Sequence, residues 1–295
     1  MKPLVLISAW FGPWPAWIEL HLETCRRNTE VDWLLVTDQP PPPDSPPNVR
    51  YLQLTLPEFL ARIGDAIGLR LPADFPAYKL CDLKGAYGHV FAADIAGYRS
   101  FGFNDLDVFF GDIRYFYSDA LLARYDAIST HPDRISGHLA VFRNTERLRT
   151  AYRRIPDWTT KTLDPSIHGL DERALRRQLR REDKLRRFLG LSRLLFEERF
   201  STIEGTPWRD GTDNWPREWR WRDGRLTNTV DGDGTPYLYL HVMTWHSNRW
   251  RKTGTAPWPE LPHGPVQVSV PQARAGGFTI SPAGIHPIPA SPIAR

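Results

Sequence analysis

The sequence predicts an α/β fold: a Rossmann-type mixed sheet flanked by helices, followed by a small C-terminal β-hairpin region and an irregular tail. Three observations carry this expectation. The chain opens as strand, helix, strand, with apolar Leu4 to Ser8, then Ile18, Leu22 and Cys25 at helical spacing, then apolar Trp33 to Val36. Strands and helices then keep alternating to about residue 170, the signature of a sheet covered by helices. Finally, 295 residues with 41% apolar and 24% charged composition can bury one large core, which argues against global disorder.

The first strand–helix–strand unit, with Pro15 pre-organising its helix, should be parallel and right-handed, with ligands beyond the carboxyl ends of its strands. Thr37 and Asp38 end the second strand and so face that crevice. Gln39 to Pro47 is a proline-rich spacer leading to a strand from Val49 to Leu54. Thr55 and Glu58 stand at capping-box spacing, with Pro57 in the first turn, for a helix whose Phe59, Leu60, Ile63 and Ile67 share a face. A helix is expected over Tyr78 to Ile95, then a buried strand through Phe101 and Phe103, and a short helix from Asp112. Strands at Ala127 to Thr130 and Leu139 to Arg143 precede a Thr145-capped helix.

Residues 171–200 read as a strongly basic helical insert with an interrupted apolar face. Asp223-Gly224 marks a hairpin after Trp219-Arg-Trp221, and a late strand runs from Tyr237 to His241. The domain expectation is one unit over 1–254 and a Pro-rich extended tail over 255–295.

A net charge of +4, unevenly placed, argues for a local anionic partner and against general nucleic-acid affinity. The basic 171–200 stretch suits peripheral contact with an anionic membrane. Cys25 and Cys81, the only cysteines, are too few for a disulfide framework or a thiolate zinc site, and read as buried thiols in a reducing cytoplasm. Leu4 to Ile7 is too short an apolar core for a signal peptide.

The chemistry centres on Asp105 and Asp107, separated by Leu106 at the end of an aromatic strand. Alternate strand residues share a face, so the pair offers hard oxygen ligands to Mn²⁺ or Mg²⁺, and burial calls for a partner charge that a bound cation would supply. Standing alone, the same pair can cap a helix or bind arginines. His241, in Tyr-Leu-Tyr-Leu-His, can complete a carboxylate site, and His246 is a weaker alternative. Lys79, Asp82 and Lys84 are polar on an apolar stretch; they read equally as surface charges or as a diphosphate contact, with Asp82 orienting a lysine or binding a hydroxyl. Ser136-Gly137-His138 is a small-residue turn entering a strand, where backbone N–H groups can approach a ligand. Asp171 and Glu172 either cap the basic helix or supply a crevice carboxylate, a general base for an acceptor hydroxyl, with Asp171 preferred.

Taken in order, Leu4 to Trp10, Asn28 through Asp38, Tyr78 to Gly88, Asn104 to Asp107 with Gly111-Asp112, Ser136 to His138, Asp171-Glu172 and His241 resemble a bacterial family of GT-A-type glycosyltransferases associated with surface-polysaccharide clusters. The resemblance covers roughly Leu4 to Trp250. It implies a GT-A-like fold, a nucleotide-sugar donor, a glycan or lipid-linked acceptor, and work in the cytoplasm or at the inner face of the membrane. By the same resemblance, Asp105, Asp107 and His241 hold the metal, Ser8, Ala9, Trp10, Phe11, Thr37 and Asp38 form the nucleotide pocket, with Asp38 near base or ribose, and Lys84 contacts phosphate or the donor sugar; Asp82, Asn104, Asp105, Ser136, Gly137 and His138 stand with them as candidate donor-binding residues. The late His-Val-Met-Thr-Trp-His segment departs from the Gly-x-x-Lys-Pro-Trp ending of the retaining galactosyltransferase-like enzymes.

Two other readings compete. A metal-dependent phosphoryl or nucleotidyl transferase would want the same acids, lysine and histidine, although no glycine-rich phosphate loop is present. A non-catalytic carbohydrate-binding protein would use Trp208, Trp215, Trp219, Trp221, Trp245 and Trp250 as sugar platforms, or these tryptophans are simply core.

Overall fold

In the computed structural model the described residues are 1–197, 201–203, 218–229, 232–242, 266–281 and 283–288. The strands in chain order are β1 (Lys2–Trp10), β2 (Val31–Thr37), β3 (Val49–Gln53), β4 (Tyr98–Asn104), β5 (Val108–Phe110), β6 (Ala127–Ser129), β7 (Leu139–Arg143), β8 (Leu194–Phe196), β9 (Ser201–Ile203), β10 (Trp219–Arg222), β11 (Arg225–Asn228), β12 (Gly232–Tyr237), β13 (Tyr239–His241), β14 (Phe278–Ser281) and β15 (Gly284–Pro287). They form a seven-stranded sheet, β3-β2-β1-β4-β7-β6-β8, a three-stranded sheet, β5-β13-β9, and a five-stranded sheet, β12-β11-β10-β14-β15.

The large sheet is mixed because β7 runs against both β4 and β6, while its other pairings are parallel. Its strands are apolar on both faces, as a sheet covered on both sides requires. Val5, Ile7, Leu34 and Val36 pack toward Phe59, Phe91 and Phe103 on one face; Leu4, Leu6, Trp33 and Leu35 pack toward Ile18, Leu22 and Phe110 on the other. The helix Leu56–Ile67 has the full capping box between Thr55 and Glu58 and ends at Gly68 in the left-handed conformation.

Gly102 lies where β4 is squeezed between neighbours. A Cβ there would collide with the Ala140 carbonyl oxygen and with Leu6. Gly102→Ala is therefore expected to lower stability by about 1–3 kcal/mol, read as a loss of denaturation midpoint at unchanged m-value.

Several expectations are corrected. The single helix over Tyr78 to Ile95 is instead a 3₁₀ run, Ala77–Ala86, followed by one α turn, Tyr87–Val90. Three residues per turn eclipses Lys79 with Asp82 and lets these two buried charges bond at 3.1 Å. Thr145 precedes a helix, Glu146–Arg149, without a side-chain cap.

The described part of the 171–200 stretch, residues 171–197, is not one helix. A π segment, Leu170–Ala174, leads into Leu175–Glu182, a break at Asp183 and a short Lys184–Phe188 helix, and the chain then returns as β8 beside β6.

The expected extended tail is folded over part of its length. Ser269 and Gln272 form a capping box for a helix, Val270–Gly276, and the β14–β15 hairpin extends the hairpin of β10 and β11. Phe278 and Ile280 alternate inward onto a core with Trp219 and Trp221, which gives this segment the apolar burial its proline content obscured. Those two tryptophans are core residues, 2% and 0% exposed, with Trp221 stacked on Phe278, so neither offers a sugar platform. Trp208, Trp215, Trp245, Trp250 and His246 lie outside the described residues. Cys25 is a buried free thiol, while Cys81 is only partly buried. No described helix is long and apolar enough to cross a membrane.

Candidate metal and donor site

The carboxyl ends of β1, β2, β4 and β6 and the entrance to β7 lie on one edge of the large sheet, because β7 is antiparallel to its neighbours. This edge collects the polar residues. Asn104 ends β4 and accepts from the Ser8 hydroxyl at 2.8 Å, tying β4 to β1. Asp105 follows, its N–H bonded to the His138 carbonyl oxygen at 3.3 Å.

Asp107 precedes β5, and β5 pairs antiparallel with β13 so that His241 sits opposite Val108. That register brings His241 Nε2 to 3.3 Å from Asp107 Oδ1, across 134 positions of chain. One ligand atom each from Asp105, Asp107 and His241 lies within 4.8 Å of the others. Two carboxylates and an imidazole are a donor set that suits Mn²⁺ or Mg²⁺. His241 Nδ1 is buried without a hydrogen-bond partner, an orphan of the kind found at functional centres.

Charge is concentrated around this group. The Lys84 ammonium donates to Asp105 and, at 2.8 Å, to the Gly137 carbonyl oxygen. Burial pushes the Lys84 ammonium toward neutrality, but Asp105 and neighbouring acids outweigh it and hold the pKa well above the usual lysine value. Burial likewise pulls His241 down, and Asp107 beside it reverses the sign and raises it.

The Ser136–His138 turn passes so close to the π segment that a Cβ on Gly137 would sit 2.9 Å from Glu172 Oε1 and 3.5 Å from Asp171 Oδ2. Asp171 is 3% exposed, and burial, opposed by Lys84 and reinforced by Glu172, pushes its carboxyl well above the usual range. Glu172 is also raised by burial, but its side chain is 37% exposed and faces Arg134 at 3.8 Å, so it is the more accessible acid.

The remaining sequence candidates divide. Ala9, Trp10 and Phe11 lie half-buried at the end of β1, and Asp38 accepts from the Gly12 N–H at 3.0 Å and from Gln39 at 2.9 Å. Thr37 is fully buried, and its hydroxyl accepts from the Gln39 N–H, so it shapes the β2 end from beneath.

Asp82 follows the lysine-orienting alternative, and only its expected ligand contact is corrected: it is 0% exposed and accepts from Lys79 Nζ and from the N–H groups of His168 and Leu170 at 2.9 and 2.8 Å. It builds the turn before Asp171 and has no surface for a ligand. Ser136 is equally inaccessible at 0%. His138 lies behind the site, its ring stacked 4.1 Å from His241 and its Nε2 2.6 Å from the Tyr239 hydroxyl. Tyr239 also meets Thr130 at 2.7 Å, so Thr130, Tyr239 and His138 form the support of His241. Sequence reasoning passed over Tyr239 and Thr130; the alternation Tyr237, Tyr239, His241 was the available signal for the former.

Among solved structures, the chain is similar to the galactosyltransferase LgtC with donor and acceptor sugar analogues, at 10% identity, 59% of this chain, 70% of that chain and a TM-score of 0.36. An active-site mutant of LgtC matches at 12% identity, 84% of this chain, 92% of that chain and a TM-score of 0.44. The apo glycosyltransferase GlyE of Streptococcus pneumoniae TIGR4 matches at 13% identity and a TM-score of 0.38 over 68% of this chain, which spans 46% of that one. No curated protein matches. One family model matches residues 6–256, most of the chain, and on that match the protein belongs to the family described as a family of unknown function (DUF6625).

Proposed function

We propose that the protein is a metal-dependent glycosyltransferase that moves a sugar from a nucleotide-diphosphate sugar to a hydroxyl of a glycan or glycolipid acceptor, in bacterial surface-polysaccharide assembly. The observation that carries this reading is the convergence of Asp105, Asp107 and His241, with Lys84 beside them, at the carboxyl edge of the large sheet. Ligands of open α/β sheets bind in the crevice at that edge. A Mn²⁺ or Mg²⁺ held by the three residues supplies Lewis-acid neutralisation of a departing diphosphate.

The chain's own residues do the rest. Lys84, held between Asp105 and the Gly137 carbonyl, is a second positive charge beside the metal ligands and would help neutralise a diphosphate bound there. Trp10 and Phe11, half-buried at and just beyond the end of β1, would give a base an apolar face, and Asp38, just past β2, would bind ribose hydroxyls through its carboxylate. Glu172, raised by burial yet accessible, is placed to accept the proton of an acceptor hydroxyl, while Asp171 lies beneath it against Gly137. Gly137 permits that approach because it has no side chain.

The test is a panel of nucleotide sugars assayed for hydrolysis with Mn²⁺, with Mg²⁺ and with chelator. The expected result is release of free sugar and nucleoside diphosphate from a subset of donors, suppressed by chelator and restored by either metal. Metal-independent turnover, or transfer of a phosphate group in place of the sugar, would overturn the proposal.

A further inference from the structure

The helical run that begins beside the candidate site ends in an apolar tip. Leu175–Glu182 buries Leu175, Gln178 and Leu179, but the Lys184–Phe188 helix that follows buries nothing. Asp183, which accepts from the Ser192 hydroxyl at 2.6 Å, fixes the break between them. Beyond it Leu185, Phe188, Leu189 and Leu191 are 70%, 85%, 57% and 58% exposed. Residues three and four apart share a side of a helix, so Leu185, Phe188 and Leu189 project together. Single exposed apolar residues are ordinary; four in seven positions form a patch that calls for a partner.

The surrounding charge says which partner. Residues 173–193 hold nine Lys or Arg and only two acids. Both acids are engaged inward, Glu182 with Arg147 and Arg154, and Asp183 with Ser192. Arg181, Lys184 and Arg187 are exposed around the tip. A second copy seated on this patch would bring like charges together, whereas a surface of anionic lipid complements them. Long basic side chains reach headgroups while their stems and neighbouring apolar groups lie deeper.

We propose that Lys184–Leu191 is an interfacial membrane anchor: Leu185, Phe188 and Leu189 insert at the boundary of a bilayer containing anionic lipid, while Arg181, Lys184 and Arg187 bind its headgroups. The eight residues of Leu175–Glu182 separate the tip from the Asp171–Glu172 turn by about 12 Å of helix. The site is thereby held close to a membrane surface. The inference does not depend on the proposed reaction, because membrane binding is read without donor or metal.

The experiment is sedimentation of the full chain with phosphatidylcholine vesicles, with and without phosphatidylglycerol. The chain is expected to pellet with the anionic vesicles, to stay in the supernatant with the zwitterionic ones, and to be released by high salt. Phe188→Asp is expected to weaken partitioning at least tenfold, roughly the worth of one buried aromatic side chain. Arg187→Ala should weaken it roughly fivefold, the worth of one basic residue at such a surface. Both side chains are solvent-exposed, so unchanged thermal melts would show that the variants fold. Equal binding to both vesicle types, no binding to either, or wild-type binding by Phe188→Asp would overturn the proposal. So would Phe188-dependent self-association in the absence of vesicle binding.

Discussion

Asp107→Asn is expected to reduce sugar transfer by on the order of 10³-fold and to abolish the thermal shift produced by Mn²⁺. The substitution keeps the shape of the side chain and leaves the Asp107 carbonyl accepting from the Val242 N–H at 2.8 Å, so the β5–β13 junction should survive. It removes a negative charge shared between the candidate ion and His241. Steady-state rates across a Mn²⁺ titration, beside melting curves with and without the ion, check both parts. Wild-type turnover with undiminished metal response would dispose of the metal site. Asp105→Asn should combine the loss of a ligand with a structural cost, because it leaves the Lys84 ammonium, 9% exposed, without its main counter-charge.

Asp82→Asn is expected to destabilise the protein by about 3–5 kcal/mol, the usual cost of leaving one member of a buried ion pair uncompensated. Lys79 and Asp82 are 1% and 0% exposed, so the buried ammonium would lose its counter-charge and keep only the neutral carbonyl oxygens of Lys161 and Ser166 as partners. For a chain of this size the melting temperature should fall by roughly 6–10 °C. Because the lost carboxylate also holds the N–H groups of His168 and Leu170, transfer should weaken in the surviving folded population as the Asp171–Glu172 turn loosens. Urea denaturation and single-turnover rates measured on the same preparation separate the two effects. A loss below about 1 kcal/mol, the range of a surface pair, would show that the pair is not the buried anchor described.

The legible parts of the fold were those written in local pattern. The alternation of strands and helices announced the helix-covered mixed sheet, Thr55 and Glu58 announced their helix, and Asp223-Gly224, both at positive φ, announced the β10–β11 hairpin. The 3₁₀ run escaped because Lys79, Asp82 and Lys84 look like the polar face of an ordinary helix. They are in fact buried, two in an ion pair and one against Asp105. The β14–β15 hairpin escaped because its composition is that of a tail, and only the exposed edge of β10 supplies the partner that makes Phe278 and Ile280 core residues.

For the candidate site, sequence alone determined the chemical types: two carboxylates two residues apart at a strand end, a lysine before them and a histidine at the end of a late strand. Their spacing within each segment is local, so strand and helix periodicity suffices to place them. Only the tertiary structure decided which of them meet. His241 reaches Asp107 through the β5–β13 register, and a slip of one residue would turn it to the other face of the sheet. Asp82 and His138 have the same local appearance as site residues, yet packing turns one into the anchor of a turn and the other into the backing of His241. That distinction depends on contacts between segments far apart in the chain, whose burial determines whether a polar group meets a ligand or another part of the protein.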